Sequence, residues 1–246
     1  MLPNMTSFEL YSAVLPSVEH ADEAALTLTG TDPHETRARR VLNVIVAVVG
    51  IVLSAPLIAI VAALVKLTSP GPILYRQVRV GVDRRNPRLP VGNHRRAIDY
   101  GGAPFTIYKF RTMAASASRS DRQVWAQQND VRVTSLGRVL RKYRLDELPQ
   151  LFNVLRGDMN IVGPRPEQPT IFAGLRTQVH GYTHRQRVRP GITGWAQINH
   201  HYDATVDDVR KKVALDLEYI ARQSFLEDLK IMLRTAPVLV FKKGAW

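Results

Sequence analysis

The chain of 246 residues contains no cysteine. Disulfide bonds, thiolate nucleophiles and cysteine-ligated metals are therefore excluded. Lysine and arginine are absent from residues 1–36, which carry six acidic residues. We predict that these residues form a polar acidic N-terminal tail, because they show neither helical nor alternating periodicity. Neither a P-loop nor a dinucleotide-binding glycine pattern is present, so any nucleotide must be recognised in another way.

Charged residues are also missing from 41–65, a run of aliphatic residues long enough to reach across a bilayer. We assign 37–66 to the membrane. Pro56, two residues after Ser54, removes a backbone hydrogen bond and is expected to bend the helix. Basic residues flank the run on both sides, so the positive-inside rule gives no orientation for a spanning helix. Two arrangements stay open, a kinked span and a helix-break-helix that enters and leaves by one face.

The basic excess is large, with a formal net charge of +13. Such a charge favours an acidic partner, which could be nucleic acid, anionic lipid or a phosphorylated substrate. No helix-turn-helix, RNP-type aromatic motif or zinc-finger spacing supports a nucleic-acid partner. We therefore predict that the protein has no nucleic-acid partner and expect its basic surface to face membrane lipids and phosphate.

Residues 67–246 read as one mixed domain, and the fold class predicted is α+β. The patterns predict strands at 73–80 and 105–113, an exposed loop at 81–102, and helices at 118–128, 135–144, 147–156 and 206–222. Residues 225–237 form an amphipathic helix candidate, and two placements stay open for it, the membrane interface and the core.

The adjacent carboxylates of Asp146 and Glu147 lie among many basic residues. Asp146 is a good N-cap for a helix that follows, with Pro149 in its first turn and Gly157 as its terminator. A helix N-terminus stabilises phosphate. Neighbouring side chains on a helix point about 100° apart, so the two groups suit different roles, one as a nucleophile and one as a cation ligand. A simple capping role for Asp146 is the alternative.

Six motifs occur in order along the chain and together carry a family resemblance. They are Ser69-Pro-Gly-Pro72, Tyr75-Arg-Gln-Val-Arg-Val-Gly81, Tyr108-Lys-Phe-Arg-Thr-Met113, Leu140-Arg-Lys-Tyr-Arg-Leu-Asp-Glu-Leu-Pro-Gln150, Gly157-Asp-Met-Asn-Ile-Val-Gly-Pro-Arg-Pro166 and Arg189-Pro-Gly-Ile-Thr-Gly-Trp-Ala-Gln-Ile-Asn199. Over residues 37–246 the chain resembles the bacterial sugar transferases, which are monotopic phosphoglycosyl transferases.

The resemblance implies a fold and a topology. It implies a re-entrant membrane helix broken near Ser54 and Pro56, followed by a small mixed catalytic domain with amphipathic surface helices on the cytoplasmic side of the bacterial cytoplasmic membrane. The family's Ser-Pro step here has one residue inserted, as Ser54-Ala-Pro56.

The resemblance also implies an activity, which is transfer of a sugar 1-phosphate from a UDP-sugar to polyprenyl (undecaprenyl) phosphate with release of UMP, as the first membrane step of polysaccharide or glycoconjugate synthesis. It implies that Asp146 is the nucleophile, that the reaction passes through a covalent aspartyl sugar-phosphate intermediate, and that Glu147 binds Mg²⁺. The basic residues implied to bind phosphate are Lys109, Arg111, Arg141 and Arg165.

Several alternatives stay open. A catalytically silent membrane-anchored assembly protein of a polysaccharide pathway is the second functional reading, and a homodimer is compatible with the sequence. The segment 189–199, with Trp195, is a candidate for nucleotide recognition or a structural turn. No pattern identifies the sugar.

Overall fold

The structure, a computed structural model, describes residues 36–83, 101–114, 130–200 and 205–240. The predicted acidic tail (apart from Thr36), most of the 81–102 loop and the 118–128 helix lie outside these residues. The described helices are α1 (Arg37–Thr68), α2 (Ser135–Lys142), α3 (Gln150–Arg156), α4 (Pro169–Leu175), α5 (Trp195–Asn199), α6 (Val206–Arg222) and α7 (Phe225–Val240), and two 3-10 helices span Leu145–Glu147 and Tyr182–Arg187. The described strands are β1 (Leu74–Val80), β2 (Pro104–Phe110), β3 (Asn160–Val162) and β4 (Gly191–Thr193). The predicted mixed architecture is confirmed.

The strands form two separate two-stranded sheets. β1 and β2 are antiparallel, and Tyr75 lies opposite Lys109. β3 and β4 are parallel, and Asn160 lies opposite Gly191. Two-stranded sheets are marginal on their own in water, so both depend on the helices packed against them.

Two groups of buried apolar side chains form the core, and α1 contributes to both. The larger group surrounds Phe172 and Tyr182 and includes Ala47 of α1. The smaller group joins Val61 and Val65 of α1 to residues of β2 and α2. Residues in both halves of the helix therefore pack against the body of the protein.

The N-terminal end of α1 is held by polar contacts that are largely buried. The Arg39 guanidinium donates to Asp228 Oδ2 at 2.8 Å and to the Tyr219 hydroxyl at 2.8 Å. Asn43 accepts a hydrogen bond of 2.7 Å from the backbone N–H of Ile161. Buried charges are tolerated only when they are paired, so these contacts fix this end of the helix to α6, α7 and β3.

The C-terminal end of α1 is fixed to the same body. The Arg111 side chain donates to the Val65 carbonyl at 3.2 Å and to the Ser69 carbonyl and hydroxyl, each at 2.7 Å. Arg111 follows β2 directly. Both ends of a helix of 32 residues are thus attached to one domain.

Between these ends, α1 exposes an apolar surface. It is the one helix in the described part of the chain that is long and apolar enough to cross a membrane. Leu53 is 77% exposed and Val52 is 65% exposed. Helical backbone continues through Pro56, and the Ser54 hydroxyl donates to the Gly50 carbonyl one turn earlier at 2.5 Å. The structure therefore shows a membrane-compatible helix, and the re-entrant break at Ser54 and Pro56 stays a prediction.

The α7 helix has both characters foreseen for residues 225–237. Asp228 and Ile231 are fully buried against the body. Leu226 and Leu233 are 73% and 68% exposed on another part of its surface, where Leu229 is also exposed. One face of α7 therefore belongs to the core, while apolar side chains on the other face are available to a lipid interface.

Candidate active site

The acidic pair lies in the 3-10 helix Leu145–Glu147, immediately after Arg144, whose φ of 53° reverses the chain at the end of α2. Hydrogen bonds between residues three apart continue from here to α3, including Leu148 N–H to the Leu145 carbonyl at 3.3 Å. The predicted N-cap role of Asp146 is therefore wrong, since α3 begins only at Gln150 and Pro149 occupies its N-cap. The predicted terminator Gly157 is confirmed, with φ of 84°.

Glu147 is buried and held by two cations. Its Oε1 accepts from Lys109 Nζ at 2.7 Å and from Arg165 Nη2 at 2.6 Å. Burial alone would raise the pKa of Glu147, but the Arg165 and Lys109 charges outweigh it and hold this pKa well below its usual range. Glu147 is therefore a fixed negative charge at physiological pH.

Asp146 has a different environment, although it is adjacent. It is 7% exposed, and no hydrogen bond reaches its carboxylate from the described residues. Burial raises the pKa of Asp146, while the Lys109 charge opposes this increase. Two neighbouring carboxylates with pKa values displaced in opposite directions are typical of a division of chemical roles.

The cations that hold Glu147 come from separate elements. Lys109 is on β2, and burial lowers its pKa despite the charge of Glu147. Arg165 lies between β3 and α4, and Glu147 raises its pKa above the usual range. A small cleft beside them is lined by Arg79, Ile107, Lys109, Gln150, Arg165 and Pro166. Cationic groups in a cleft suit a phosphate ligand.

The structure separates the remaining two predicted phosphate-binding residues. The Nε of Arg141 donates to the Thr112 hydroxyl at 2.9 Å, and its charge acts on the Asp146 carboxylate. Arg111 instead donates to the end of α1, as described above. Lys109, Arg141 and Arg165 therefore converge on the acidic pair, whereas Arg111 does not, and the phosphate-binding role of all four stays a prediction.

The expected magnesium site can be compared with the available oxygen ligands. No cluster of three or more acidic or histidine side chains suited to a metal occurs among the residues that the structure describes. Glu147 Oε1 already accepts from two cations, but Oε2 accepts only a long hydrogen bond of 3.5 Å from Arg165 Nη1. Magnesium commonly binds one or two carboxylates together with substrate phosphates and water. The donor set therefore fits an ion bound through Glu147 and a phosphorylated substrate.

A second charged network, not predicted from the sequence, lies behind Arg165. The Nε of Arg185 donates to Asp216 Oδ2 at 2.7 Å, and Lys212 Nζ donates to Glu167 Oε1 at 2.8 Å. Burial would raise the pKa of Glu167, but Lys212 and Arg185 lower it to about 2. The one sequence signal for this network is the position of Glu167, directly after the motif that ends in Gly163-Pro-Arg-Pro166.

Trp195, the aromatic residue of the 189–199 segment, is occupied by packing. The Arg222 guanidinium lies 4.2 Å from its ring centroid and that of Arg234 lies 5.6 Å away. Its Nε1 donates to Glu218 Oε2 at 2.8 Å. These contacts favour the structural reading of Trp195 over the stacking of a base.

Comparison with known proteins connects this geometry to a family. The model of the family described as bacterial sugar transferase matches residues 34–242. The chain is 39% identical over 228 residues to the UDP-N-acetylgalactosamine-undecaprenyl-phosphate N-acetylgalactosaminephosphotransferase of Aeromonas hydrophila, covering 93% of this chain and 49% of that protein. It is 41% identical over 210 residues to the UDP-glucose:undecaprenyl-phosphate glucose-1-phosphate transferase of Caulobacter vibrioides, covering 85% and 72%.

A protein of the same description from Escherichia coli K12 is 36% identical over 238 residues, which are 96% of this chain and 47% of that protein. The chain thus spans about half the length of two of these relatives and most of the third. The relatives' names share undecaprenyl phosphate and differ in the sugar.

Proposed function

Since this chain belongs to the bacterial sugar transferase family, we propose that it is an enzyme that transfers a sugar 1-phosphate from a UDP-sugar to polyprenyl (undecaprenyl) phosphate. UMP is the other product. The named substrates of the relatives support this activity. The names of those relatives specify different sugars, so the proposal leaves the sugar open. It assigns the reaction to the first membrane step of polysaccharide or glycoconjugate synthesis.

The contrast between the two carboxylates carries the proposal. Both carboxylates are buried, but the Glu147 charge is paired with Lys109 and Arg165, whereas the Asp146 carboxylate accepts no hydrogen bond from the described residues. A desolvated carboxylate without hydrogen-bond donors is a stronger nucleophile than a solvated one. Asp146 is therefore the group proposed to attack phosphorus.

Two displacements at phosphorus account for the reaction. An Asp146 Oδ atom bonds to the β-phosphorus of the UDP-sugar, and the bond from that phosphorus to the bridging oxygen breaks, so that UMP leaves with the electron pair. An oxygen of polyprenyl phosphate then bonds to the same phosphorus, and the Asp146 carboxylate leaves. The product is a polyprenyl diphosphate sugar, and the enzyme regains its initial state.

The cations around the pair hold the phosphates during these steps. Lys109, Arg141 and Arg165 are near enough to act on one or both carboxylates, and a guanidinium is suited to bidentate contacts with phosphate. Magnesium, held by Glu147, would neutralise part of the diphosphate charge when bound.

The attachment of α1 supports the proposed monotopic topology. A straight spanning helix would separate its two ends by the thickness of the bilayer. Here Arg39 near one end and Val65 near the other contact the same domain. We propose that α1, although helical throughout Arg37–Thr68, bends at Pro56 within the cytoplasmic membrane, so that it enters from the cytoplasmic face, where the catalytic domain lies, and returns to it.

UMP release tests the activity. The full chain, purified in detergent, is incubated with Mg²⁺, a short polyprenyl phosphate and a panel of UDP-sugars. We expect release from at least one of them; release from none would contradict the proposed activity and leave the silent assembly protein as the better reading.

Substitution of the nucleophile tests the mechanism. Asp146→Asn should abolish turnover, and Asp207→Asn, at an exposed carboxylate on α6, should not. Without the lipid acceptor, mass spectrometry should find one sugar phosphate added to the wild-type protein and none added to Asp146→Asn. Full turnover by Asp146→Asn would remove Asp146 from the nucleophile role.

A further inference from the structure

The segment 164–167, which contains Arg165, is held by its backbone from several directions. Each of its four successive carbonyl oxygens accepts a hydrogen bond from a residue outside the segment. The donors are Gly191 N–H to Pro164 at 3.0 Å, Arg185 Nη2 to Arg165 at 3.0 Å, Arg79 Nη1 to Pro166 at 3.0 Å and Val80 N–H to Glu167 at 2.9 Å. A loop segment tied at every carbonyl has little freedom to move.

Arg185 is the donor that acts on Arg165 itself. Its side chain is completely buried, and burying a guanidinium is costly unless it is paired with an opposite charge. Its Nη1 makes no hydrogen bond to the described residues and lies 4.0 Å from Glu167 Oε1. Its Nε binds Asp216 on α6, and its Nη2 binds the Arg165 carbonyl, so one planar group connects α6 to the segment. The fixed fork of arginine can make two such bonds in set directions, whereas a lysine ammonium cannot reproduce them.

Arg185 does not contact the acidic pair directly and would act on it only through Arg165. Arg185 touches the backbone of Arg165, while the Arg165 side chain donates to Glu147 Oε1 at 2.6 Å. A displacement of the Arg165 backbone would therefore carry its guanidinium away from Glu147. Misplacement of a catalytic group by about 1 Å can cost on the order of 100-fold in rate.

We propose, on the basis of the transfer reaction proposed above, that Arg185 is a positioning residue that sets the place of the Arg165 guanidinium through the Arg165 carbonyl. Asp216 orients Arg185 in turn. A chain of hydrogen bonds from Arg165 through Arg185 to Asp216 thus extends the active site into the core, to residues that no substrate reaches.

A double-mutant cycle separates positioning from a purely structural role. The kcat/KM for UMP release is measured for Arg185→Lys in the wild-type background and in an Arg165→Ala background. If Arg185 acts through Arg165, we expect a loss of about 10- to 100-fold in the first background and less than about twofold in the second. Equal losses in both backgrounds would overturn the proposal.

Arg39→Lys is the matched control. Arg39 is also a buried arginine paired with a buried aspartate, but the partners described for it lie on α6, on α7 and in the turn between them, and none of these is in the 164–167 segment. Its effect on kcat/KM should be the same in both backgrounds. If Arg39→Lys shows the same dependence on Arg165 as Arg185→Lys, the effect is a general consequence of core damage and the proposal fails.

A second measurement does not depend on activity. Hydrogen–deuterium exchange of a peptide covering residues 163–172, which leaves out the β3 residues beside Asn43, should be faster in Arg185→Lys than in the wild type, and unchanged in Arg39→Lys. Unchanged exchange in Arg185→Lys would refute the proposal even if no UDP-sugar is turned over, so its failure is distinct from failure of the proposed function. If Arg185→Lys does not fold, Asp216→Asn, which retains Arg185, is subjected to the same measurements and the same criteria.

Discussion

The buried pair of Arg39 and Asp228 should dominate the attachment of α1. Arg39→Met removes the guanidinium that binds Asp228, Tyr219 and Gln223, each at 2.8 Å. Asp228 is 0% exposed, so its charge would stay buried with the Tyr219 hydroxyl as its remaining side-chain donor, at 2.7 Å. An uncompensated buried charge is the expected result.

The magnitude follows from that geometry. Removing one member of a buried ion pair costs about 3–5 kcal/mol. For a domain of this size, each kcal/mol lowers Tm by about 2–4 °C, so Arg39→Met should lower it by about 6–20 °C. The double variant Arg39→Met with Asp228→Leu should be more stable than Arg39→Met alone, because no charge is then buried without a partner.

Thermal unfolding in detergent micelles, followed by circular dichroism, checks these values. Arg210→Met is the control, since Arg210 forms an exposed pair with Asp207 on α6 and should change stability by less than about 1 kcal/mol. Strictly additive effects of the two substitutions, or an Arg39→Met variant as stable as Arg210→Met, would refute the reasoning.

Three further outcomes are expected. Glu167→Gln should reduce the free energy of unfolding by about 3 kcal/mol at pH 7, because the pKa of Glu167 is lowered from 4.5 to about 2. This contribution is present above pH 4.5 and is lost as the pH falls towards 2. The free energies of unfolding of the two proteins, measured by denaturant titration, should therefore converge over that pH range. Lys109→Met should raise the pKa of Asp146, because the Lys109 charge opposes the effect of burial there, and move the acid limb of the kcat/KM profile to higher pH; an unmoved limb would argue against Asp146 as the ionised nucleophile. Gly191→Ala should destabilise the protein by about 1–3 kcal/mol because its Cβ would overlap neighbouring backbone, whereas Gly174→Ala on α4, where the space is open, should be neutral or stabilising in the same unfolding assay.

Local patterns predicted the elements that are long or strongly periodic. Strand β1, strand β2 and helix α6 were found close to their predicted bounds. The parallel pair β3 and β4 was missed, because each strand has three residues and their pairing joins Asn160 to Gly191 across a long sequence separation. So short a strand gives no alternation to detect.

The site was predicted in part for similar reasons. Family resemblance led to Lys109, Arg165 and Glu147, whose contacts join distant parts of the chain, but local physics placed Asp146 wrongly as an N-cap. Capping preferences describe the residue next to a helix, and they cannot foresee that the left-handed Arg144 starts a 3-10 turn before α3. Arg185 gave no sequence signal, since its proposed positioning role rests on its burial and on the carbonyl it binds.

If the chain transfers a sugar phosphate to polyprenyl phosphate as proposed, the double attachment of α1 affects how that lipid reaches the site. A catalytic domain joined to its membrane segment by one flexible end could move up and down over the lipid, but a domain tied to both ends of α1 would, in the proposed re-entrant topology, be held at one height. The phosphate head group of the lipid must then reach the site at that height, and the length of the hydrocarbon tail below it does not affect the chemistry. We therefore expect the enzyme to select its acceptor by head group and to tolerate widely different polyprenyl chain lengths.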